Sequence, residues 1–403
     1  MPRLLALDVL DGVLARHTSF DDSFDRHPRT QILSSRDRAF AFTLIATVLR
    51  RLGEIDAALA ACLNKPMPHK ALRALNLLRL GAAQLLFLGT PAHAAVDTSV
   101  RLASKGELVH YKNMTNAVLH RLAREGTELI AGLDAARINT PDWLWESWRA
   151  TYGEQEARAI ATAHLSQAPL DLAVKSDPEG WAAKLGAELL PGGALRLADA
   201  PSVPTLPGFN EGAWWVQDAA AQIPARLLGD VHGMRIADLG AAPGGKTAQL
   251  AAAGAEVIAL DRSGGRLKLV QENLSRLGLT AEMVEGDART WRPTEPLDAV
   301  LLDAPCSATG TIRRHPDIPY LRRPSDVAKS AVVQAELLRA ALQMVKPGGT
   351  VVYAVCSIQP EEGRPVVNAS LTLGDSRVEE EIRTLPSQGM DGFYAARITV
   401  TNR

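Results

Sequence analysis

DLGAAPGGKT, residues 238–247, is a glycine-rich loop that follows an apolar run and opens a helical stretch. Glycines allow the backbone to approach a bound ligand closely, and the first turn of a helix presents unpaired N–H groups to that ligand. A loop of this kind between a strand and a helix is typical of an α/β domain that binds a nucleotide or a nucleoside.

The rest of the chain after Gly233 continues this alternation of short apolar runs and helical segments. The alternation predicts a mostly parallel sheet covered by helices, and such sheets bind ligands at the carboxyl ends of their strands. The predicted elements are strands at 235–239, 256–260, 281–285, 299–302 and 350–355 and helices at 266–277 and 328–345. The candidate functional residues at the strand ends are Asp238, Asp261, Asp287, Asp303, Cys306 and Cys356.

The chain upstream of this domain has a different pattern. Apolar side chains recur at helical spacing in residues 1–138, as at Leu4, Leu7 and Leu10, which predicts an all-α bundle of five or more helices. Frequent prolines interrupt residues 139–225, which we interpret as a linker and a small α+β subdomain. The predicted α/β domain then covers residues 226–403.

The composition is that of an ordinary globular protein, with 46% hydrophobic and 22% charged residues in a chain of 403. These values argue against disordered, collagen-like and coiled-coil proteins. No apolar run approaches the ~20 residues of a membrane span, and the first ten residues lack a secretory core. We therefore expect a cytoplasmic protein with no membrane partner.

The three cysteines, Cys62, Cys306 and Cys356, are odd in number and show no C-x-x-C spacing. This argues against a disulfide scaffold and against a zinc site, so no metal is expected. Cys62 lies in an apolar helical stretch and is interpreted as an inert core residue.

The distribution of charge is uneven. Residues 1–140 hold 18 Lys and Arg against 13 Asp and Glu, although the whole chain has a net charge of −1. A basic N-terminal third indicates an anionic partner such as RNA, but helical modules that bind nothing charged often carry a similar excess.

The loop at 238–247 permits two interpretations. It satisfies G-x-x-x-x-G-K-[ST], the pattern of P-loop ATPases, and Asp303 would then hold magnesium. Alternatively, it binds a nucleoside cofactor, with Asp261 on the ribose hydroxyls and Asp287 near the adenine amino group. Acidic residues at successive strand ends would repel a triphosphate, and they favour the cofactor interpretation.

Cys306 and Cys356 indicate the chemistry, because each follows a predicted strand and neighbouring strands would bring both thiols to one cleft. A thiol beside a nucleoside cofactor and an acid suits alkylation of carbon 5 of cytosine. That carbon becomes nucleophilic only after a thiolate adds to carbon 6. An acid near ring nitrogen 3 and a base that removes the carbon 5 proton complete the reaction.

These motifs resemble those of the Sun/NOL/NOP family of RNA (cytosine-5)-methyltransferases, which use S-adenosylmethionine. Residues 238–247 resemble the cofactor loop of the family, and DAPCSATG at 303–310 resembles its Pro-Cys motif. CSIQPEE at 356–362 matches the Cys-Ser motif, and DGFYAA at 391–396 the closing strand. The resemblance implies a Rossmann-like class I methyltransferase domain.

The N-terminal third resembles the NusB-type helical RNA-binding domain. SRDRAF at 35–40 and KNMTNAVL at 112–119 carry this likeness, and TIRRHPDI at 311–318 resembles family members that join such a domain to the catalytic domain. The implied partner is 16S ribosomal RNA, and we expect a monomer. A P-loop ATPase acting on RNA and a non-enzymatic NusB-like RNA-binding factor are the alternatives.

The resemblance also implies roles for individual residues. Cys356 would be the nucleophile and Cys306 would assist release, although DNA cytosine methyltransferases use the Pro-Cys position as nucleophile. Asp303 would contact the base and the cofactor, and Lys246 would line the active site. The implied cofactor contacts are Gly240, Ala241, Ala242, Pro243, Gly244, Gly245, Lys246, Asp261, Arg266, Asp287 and Asp303. The predicted RNA contacts are Arg50, Arg51, Arg313 and Arg314.

The sequence departs from the family pattern in three places. Many relatives have Thr where this chain has Val355, and Asn where it has Gly363. The stretch 364–388 is also shorter than expected for the family. None of these departures removes a chemical group from the implied mechanism.

Overall fold

The structure is a computed structural model that describes residues 1–198, 202–371 and 375–401. The chain forms two compact units. The first comprises Met1–Ser166 and Ile312–Arg322, and the second comprises Gln167–Thr311 and Arg323–Arg403. The division into three domains at 1–138, 139–225 and 226–403 stays a prediction.

Helices account for most of the first unit and cover the sheet of the second. In chain order they are α1 (Pro2–Arg16), α2 (Phe20–Asp25), α3 (Pro28–Ile32), α4 (Ser35–Arg50), α5 (Leu52–Cys62), α6 (Leu72–Leu86), α7 (Ala92–Ala103), α8 (Lys112–Ala131), α9 (Ala135–Ile138), α10 (Asp142–Tyr152), α11 (Glu154–His164), α12 (Pro178–Leu185), α13 (Ile223–Arg226), α14 (Gly245–Ala252), α15 (Gly264–Leu277), α16 (Ile318–Leu321), α17 (Pro324–Leu342) and α18 (Arg364–Ser370).

The strands belong to two sheets in the second unit. In chain order they are β1 (Leu170–Val174), β2 (Glu188–Leu189), β3 (Leu195–Leu197), β4 (Trp214–Val216), β5 (Arg235–Leu239), β6 (Glu256–Asp261), β7 (Glu282–Glu285), β8 (Leu297–Asp303), β9 (Val345–Val355), β10 (Ser376–Thr384) and β11 (Phe393–Val400).

The predicted helical bundle is confirmed in the first unit, and its helices form for local and tertiary reasons. Ser34 caps α4 by accepting a hydrogen bond from the Asp37 backbone N–H at 3.2 Å. The apolar face of α4 is buried against α1 and α6 in one core. The breaks before α3, α6 and α7 fall at proline-containing stretches, because proline cannot continue a helix from its interior.

The first unit also contains a short segment from the C-terminal half of the chain, residues 312–322. Asp317 accepts a hydrogen bond from the Phe20 backbone N–H at 2.8 Å. The Tyr320 hydroxyl donates to the Leu49 carbonyl at 2.8 Å, and Arg50 donates to the Arg313 carbonyl at 2.7 Å. Sequence analysis placed this segment in the α/β domain, since hydrogen bonds between residues some 270 positions apart leave no pattern in the sequence.

The larger sheet has seven strands in the order β10-β11-β9-β8-β5-β6-β7. Strands β7, β6, β5, β8 and β9 are parallel, and β11 and β10 pair antiparallel at the edge. The α/β prediction is confirmed. The chain runs from β5 outward on one side and returns to β8 on the other, so the ends of β5 and β8 form the switch point where ligands bind.

Several predicted boundaries differ from the observed ones by a few residues, and the start of the last parallel strand differs most. The last parallel strand, β9, begins at Val345 rather than at residue 350, and α17 ends at Leu342. Val345 pairs with Leu297 before a register shift, so the ladder extends past the glycines at 348 and 349. Pairing with β8 therefore overrides the local turn signal of those glycines.

The smaller sheet is antiparallel, with the order β2-β3-β1-β4. Trp214 is fully buried between this sheet and its covering segments, and its indole N–H donates to the Pro207 carbonyl at 2.8 Å. The sequence indicated an α+β subdomain here without locating its strands, because they are only two to five residues long. Among the described helices, none combines the length and the apolar character needed to span a bilayer.

The hydrogen bond from the Phe20 backbone N–H to Asp317 predicts that loss of the Asp317 carboxylate destabilises the first unit measurably. Asp317→Ala leaves the Phe20 N–H buried without an acceptor, and we expect it to lower the free energy of unfolding by ~1 to 3 kcal/mol. Asp317→Asn retains an acceptor oxygen and serves as the control. Urea denaturation of both variants checks this prediction, and equal stabilities would contradict it.

Candidate active site

A cavity of about 290 Å³ opens at the carboxyl ends of β5, β6 and β8. Its walls combine carboxylates, arginines, both sheet cysteines and apolar side chains. The lining residues that matter below are Gly240, Ala242, Asp261, Arg266, Asp287, Arg289, Asp303, Cys306, Val333, Leu337 and Cys356. The switch point of the sheet is therefore also the position of the cavity.

The glycine-rich loop turns sharply along the edge of the cavity. Gly240 has a φ of +84°, and a Cβ at this position would lie 2.4 Å from the Asp303 carbonyl oxygen. Only glycine fits such a close approach of two strand ends. Gly244 has a φ of +104° and directly precedes the first turn of α14. The predicted cofactor residues from Gly240 to Gly245 thus lie at one edge of the sheet.

Lys246 points from α14 to the end of β8. Its ammonium group donates to Asp303 at 2.7 Å and lies 5.5 Å from the centre of the Phe393 ring. Burial opposes the charge on Lys246, but the Asp303 carboxylate outweighs it and raises the pKa of the amine. The lysine of the loop therefore stays protonated and bound to a carboxylate instead of facing a phosphate.

Asp261 ends β6 with its carboxylate at the cavity wall and only 4% of the residue exposed. It accepts hydrogen bonds from the Ser263 backbone N–H at 3.0 Å and from Arg266 at 3.1 Å. Arg266 also donates to the Ala242 carbonyl at 2.7 Å. Arg266 thereby joins the loop after β5 to the acid after β6.

Asp287 lies after β7 at the far side of the same cavity. Both of its carboxylate oxygens accept hydrogen bonds from Arg289, which lower the pKa of Asp287 to about 2. The structure thus places Asp287 at the cavity wall, where the Arg289 guanidinium balances its charge.

Asp238 is fully buried beneath the loop. One carboxylate oxygen accepts a hydrogen bond from the Thr247 hydroxyl at 2.6 Å, and the other has no partner among the described residues. Burial raises the pKa of Asp238 to about 6. This carboxyl group connects the end of β5 to the first turn of α14.

Cys306 and Cys356 meet at the cavity with their sulfur atoms 3.4 Å apart. Cys356 directly follows β9, and Cys306 follows β8 by three residues. The hydrogen bond with Cys356 and burial together raise the pKa of Cys306 well above its usual range. The sequence predicts one cleft for both thiols, and the structure places them in direct contact.

A buried carboxylate beneath the thiols was missed by sequence reasoning. Glu362 is completely buried and accepts hydrogen bonds from the Ser307 and Ser357 hydroxyls, each at 2.5 Å. It also accepts from the Ser307 N–H at 2.8 Å and from Gln334 at 3.0 Å. The only sequence signal was its place in the CSIQPEE motif, which does not show where the side chain points.

The predicted RNA contacts occupy several environments in the first unit. Arg313 is only 5% exposed, so burial leaves its guanidinium no access to a phosphate group and argues against that role. Arg50 is held by the Arg313 carbonyl, and burial lowers the pKa of Arg50 to about 10. Arg51 forms an ion pair with Glu54 at 3.0 Å, and Arg314 is partly exposed.

Both the N-terminal and the C-terminal parts of the chain match families of known proteins. The sequence profile described as 16S rRNA methyltransferase RsmB/F matches residues 225–382, and that of the NusB family matches residues 1–124. Ribosomal RNA small subunit methyltransferase B of Vibrio cholerae is 40% identical over 91% of this chain and 90% of its own. The protein of the same name from Klebsiella pneumoniae is 37% identical over 98% of this chain and 97% of its own.

The chain belongs to this ribosomal RNA methyltransferase family. The resemblance, the NusB-type domain and the Rossmann-like fold are thereby confirmed. A P-loop ATPase and a non-enzymatic RNA-binding factor are not favoured, in agreement with the carboxylate-bound Lys246.

Solved structures share the fold over about two thirds of this chain. A methyltransferase homologue from Pyrococcus horikoshii is 25% identical, with a TM-score of 0.56, and the match covers 63% of this chain and 93% of that chain. NSun6 from Pyrococcus horikoshii, solved with SFG, is 21% identical with a TM-score of 0.58. That match covers 65% of this chain and 99% of the other.

The raised pKa of Asp238, about 6, predicts a pH-dependent stability. The folded protein keeps the Asp238 proton above the usual carboxyl pKa of ~3.9, at which the unfolded chain loses it. The stability that this proton gives the folded protein is therefore fully present below pH ~4 and is lost as the pH rises through the folded pKa of Asp238. Between pH 4 and 7, we expect the free energy of unfolding of wild type to fall by ~2 to 3 kcal/mol relative to that of Asp238→Asn. Chemical denaturation at stepped pH tests this, and parallel profiles would contradict it.

Proposed function

We propose that this protein transfers a methyl group from S-adenosylmethionine to carbon 5 of a cytosine in 16S ribosomal RNA, through a covalent bond between Cys356 and carbon 6. The observation that carries the proposal is the contact of two thiols, 3.4 Å apart, at the ligand cavity of a ribosomal RNA methyltransferase. Methylation of a nitrogen or a ribose oxygen needs no thiol, whereas carbon 5 of cytosine requires one.

The cavity suits a nucleoside cofactor that carries a cationic sulfonium. Carboxylates at three strand ends, Asp261, Asp287 and Asp303, offer hydrogen-bond acceptors to the polar groups of such a cofactor. The Asp261 carboxylate at the cavity wall would accept two hydrogen bonds from ribose hydroxyls, and Val333 and Leu337 offer apolar surface to a purine. SFG, an analogue of S-adenosylmethionine, accompanies the related fold of NSun6 and supports the same assignment. The bound cofactor would supply an electrophilic methyl group.

Cys356 is the proposed nucleophile because it lies between a cation and a second thiol. Lys246 is close enough to interact electrostatically with Cys356, and a cation stabilises a thiolate. The Cys356 thiolate would add to carbon 6, which places negative charge on the ring and makes carbon 5 nucleophilic. After methylation, a general base takes the carbon 5 proton, the electron pair of that C–H bond forms the double bond between carbons 5 and 6, and the bond from carbon 6 to sulfur breaks with the Cys356 thiolate as the leaving group.

Asp303 and Lys246 would hold the cytosine during this sequence. The Asp303 carboxylate, fixed by the 2.7 Å contact with Lys246, accepts from the amino group of the base, and the pair stabilises charge that develops on the ring. Cys306 would assist the departure of Cys356, because its raised pKa keeps it as a neutral thiol at neutral pH and its sulfur lies 3.4 Å from that of Cys356. A neutral thiol can donate a proton or a hydrogen bond to the leaving sulfur.

The basic N-terminal domain would bring the RNA to this cavity. Its excess of Lys and Arg over Asp and Glu favours phosphate contacts, which weaken with increasing salt. Arg51 and Arg314 remain candidates for such contacts, and Arg50 could contribute only if its bond to the Arg313 carbonyl opens.

The two thiols are distinguished by what their loss does to the covalent adduct. Cys356→Ala should abolish methylation and leave no protein–RNA adduct, because the nucleophile is gone. Cys306→Ala should still permit attack and methyl transfer but slow the release, so that protein accumulates crosslinked to RNA. A denaturing gel with labelled 16S RNA measures the adduct, and bisulfite sequencing measures 5-methylcytosine.

Cys62→Ala is the matched control, because that thiol is buried in the core of the first unit and should affect neither measurement. An adduct with Cys356→Ala and none with Cys306→Ala would reverse the two roles. Methylation that persists in the double variant would disprove the covalent mechanism.

The position of Asp261 at the cavity wall predicts that removal of its carboxylate weakens cofactor binding. Asp261→Ala removes two charge-assisted hydrogen bonds to the ribose, and we expect S-adenosylhomocysteine to bind ~10-fold or more weakly. Isothermal titration calorimetry without metal measures this affinity. Because Asp261 also holds Arg266, Arg266→Ala measures how much of the loss passes through that arginine and its bonds to Asp261 and the Ala242 carbonyl. An unchanged dissociation constant for Asp261→Ala would contradict the placement.

A further inference from the structure

The structure points to Glu362 as a positioning residue that fixes the separation of the two active-site thiols and keeps one of them neutral beside the other. The inference rests on the proposed function, in which Cys356 and Cys306 have different tasks. It concerns how one buried carboxylate makes two chemically identical side chains unequal.

The contacts of Glu362 reach the residue that follows each cysteine. Ser307, directly after Cys306, donates both its hydroxyl and its backbone N–H to the carboxylate. Ser357, directly after Cys356, donates its hydroxyl to the same carboxylate. The two serine hydroxyls are also 3.0 Å from one another. One side chain therefore ties the loop after β8 to the loop after β9, immediately below the sulfur atoms.

The carboxylate is itself held rigidly. Gln334 of α17 donates to Glu362 at 3.0 Å and to the Pro305 carbonyl at 2.9 Å, and it accepts from the Tyr353 hydroxyl at 3.0 Å. The Tyr353 hydroxyl also lies 2.7 Å from the Glu362 backbone carbonyl. Four donor groups converge on the side chain, which is the arrangement that an ionised carboxylate requires. A buried charge without these donors would cost several kcal/mol.

The charges around the two thiols differ. The groups that face Cys306 are Cys356, Tyr353 and the anionic Glu362, and Glu362 contributes to the raised pKa of Cys306. Cys356 faces Cys306 and the cation Lys246, which is paired with Asp303. Negative charge disfavours a thiolate at Cys306. Cys306 then keeps its proton and donates a hydrogen bond across the 3.4 Å contact to the Cys356 sulfur.

The test compares Glu362→Gln with Glu361→Gln in the full chain without RNA or methyl donor. Glu361 precedes Glu362 in the motif but is exposed, so it is a matched control. Alkylation by iodoacetamide at stepped pH, resolved for each cysteine by peptide mass spectrometry, gives the pH midpoint of each thiol. We expect Cys356 to react at lower pH than Cys306 in wild type. In Glu362→Gln the Cys306 midpoint should fall, because one of the negative charges that oppose its thiolate is gone, while the Cys356 contact and burial still hold it above the usual range. Glu361→Gln should match wild type.

Unchanged midpoints in folded Glu362→Gln would overturn the inference. If that variant does not fold, Ser307→Ala and Ser357→Ala each remove one donor and leave the carboxylate in place. We expect each to lower kcat by ~10-fold with the KM for RNA unchanged, because the thiols shift while the RNA surface does not. If Ser307→Ala and Ser357→Ala have the kcat of wild type, or change only the KM, the inference is also overturned. Since alkylation requires no methylation, failure of the proposed reaction and failure of this inference give different results.

Discussion

The site depends on the parallel pairing of β8 with β9, in the register that sets Asp303 beside Ala354. From these two residues the chain runs only two or three positions to Cys356 and to Cys306. Neighbouring strands lie ~4.8 Å apart, so the loops that leave their ends begin close together. A shift of one residue in this register would turn every side chain of β9 to the other face and would separate the thiols. The pairing continues to Leu297 and Val345, which anchors the register far from the site.

Around this pairing, the charged side chains of the site each have a specific partner. Lys246 pairs with Asp303, Asp287 with Arg289, and Glu362 with the two serines that follow the cysteines. Asp238 is the exception, since one of its oxygens has no partner among the described residues and its pKa is raised. Charges fixed in this way do not need to reorganise when a charged intermediate forms, which is the main source of electrostatic catalysis.

Residues 312–322 follow the cysteine loop after β8 in the chain but belong to the helical unit. This segment begins two residues after Gly310, whose backbone N–H donates to the Cys356 carbonyl at 3.1 Å, and it is held in the helical unit by Asp317 and Tyr320. The covalent chain thus connects the cysteine loop directly to residues that belong to the NusB-type unit. The sequence showed the TIRRHPDI motif there and suggested RNA contacts. Burial of Arg313 instead gives part of this motif a structural task.

The sequence by itself determined the order of the elements, the α/β domain and the family. It did so because the strands around Asp238, Asp261 and Asp303 are buried on both faces and read as apolar runs, and because the loop and cysteine motifs are local in the chain. Only the tertiary structure decided that Lys246 binds Asp303, that Glu362 joins both cysteine loops and that Arg313 is buried. These are contacts between residues that are distant in the sequence, and they follow from strand pairing and helix packing. Propensity and spacing act over a few residues, whereas a side chain's partner depends on which elements the whole fold brings beside it.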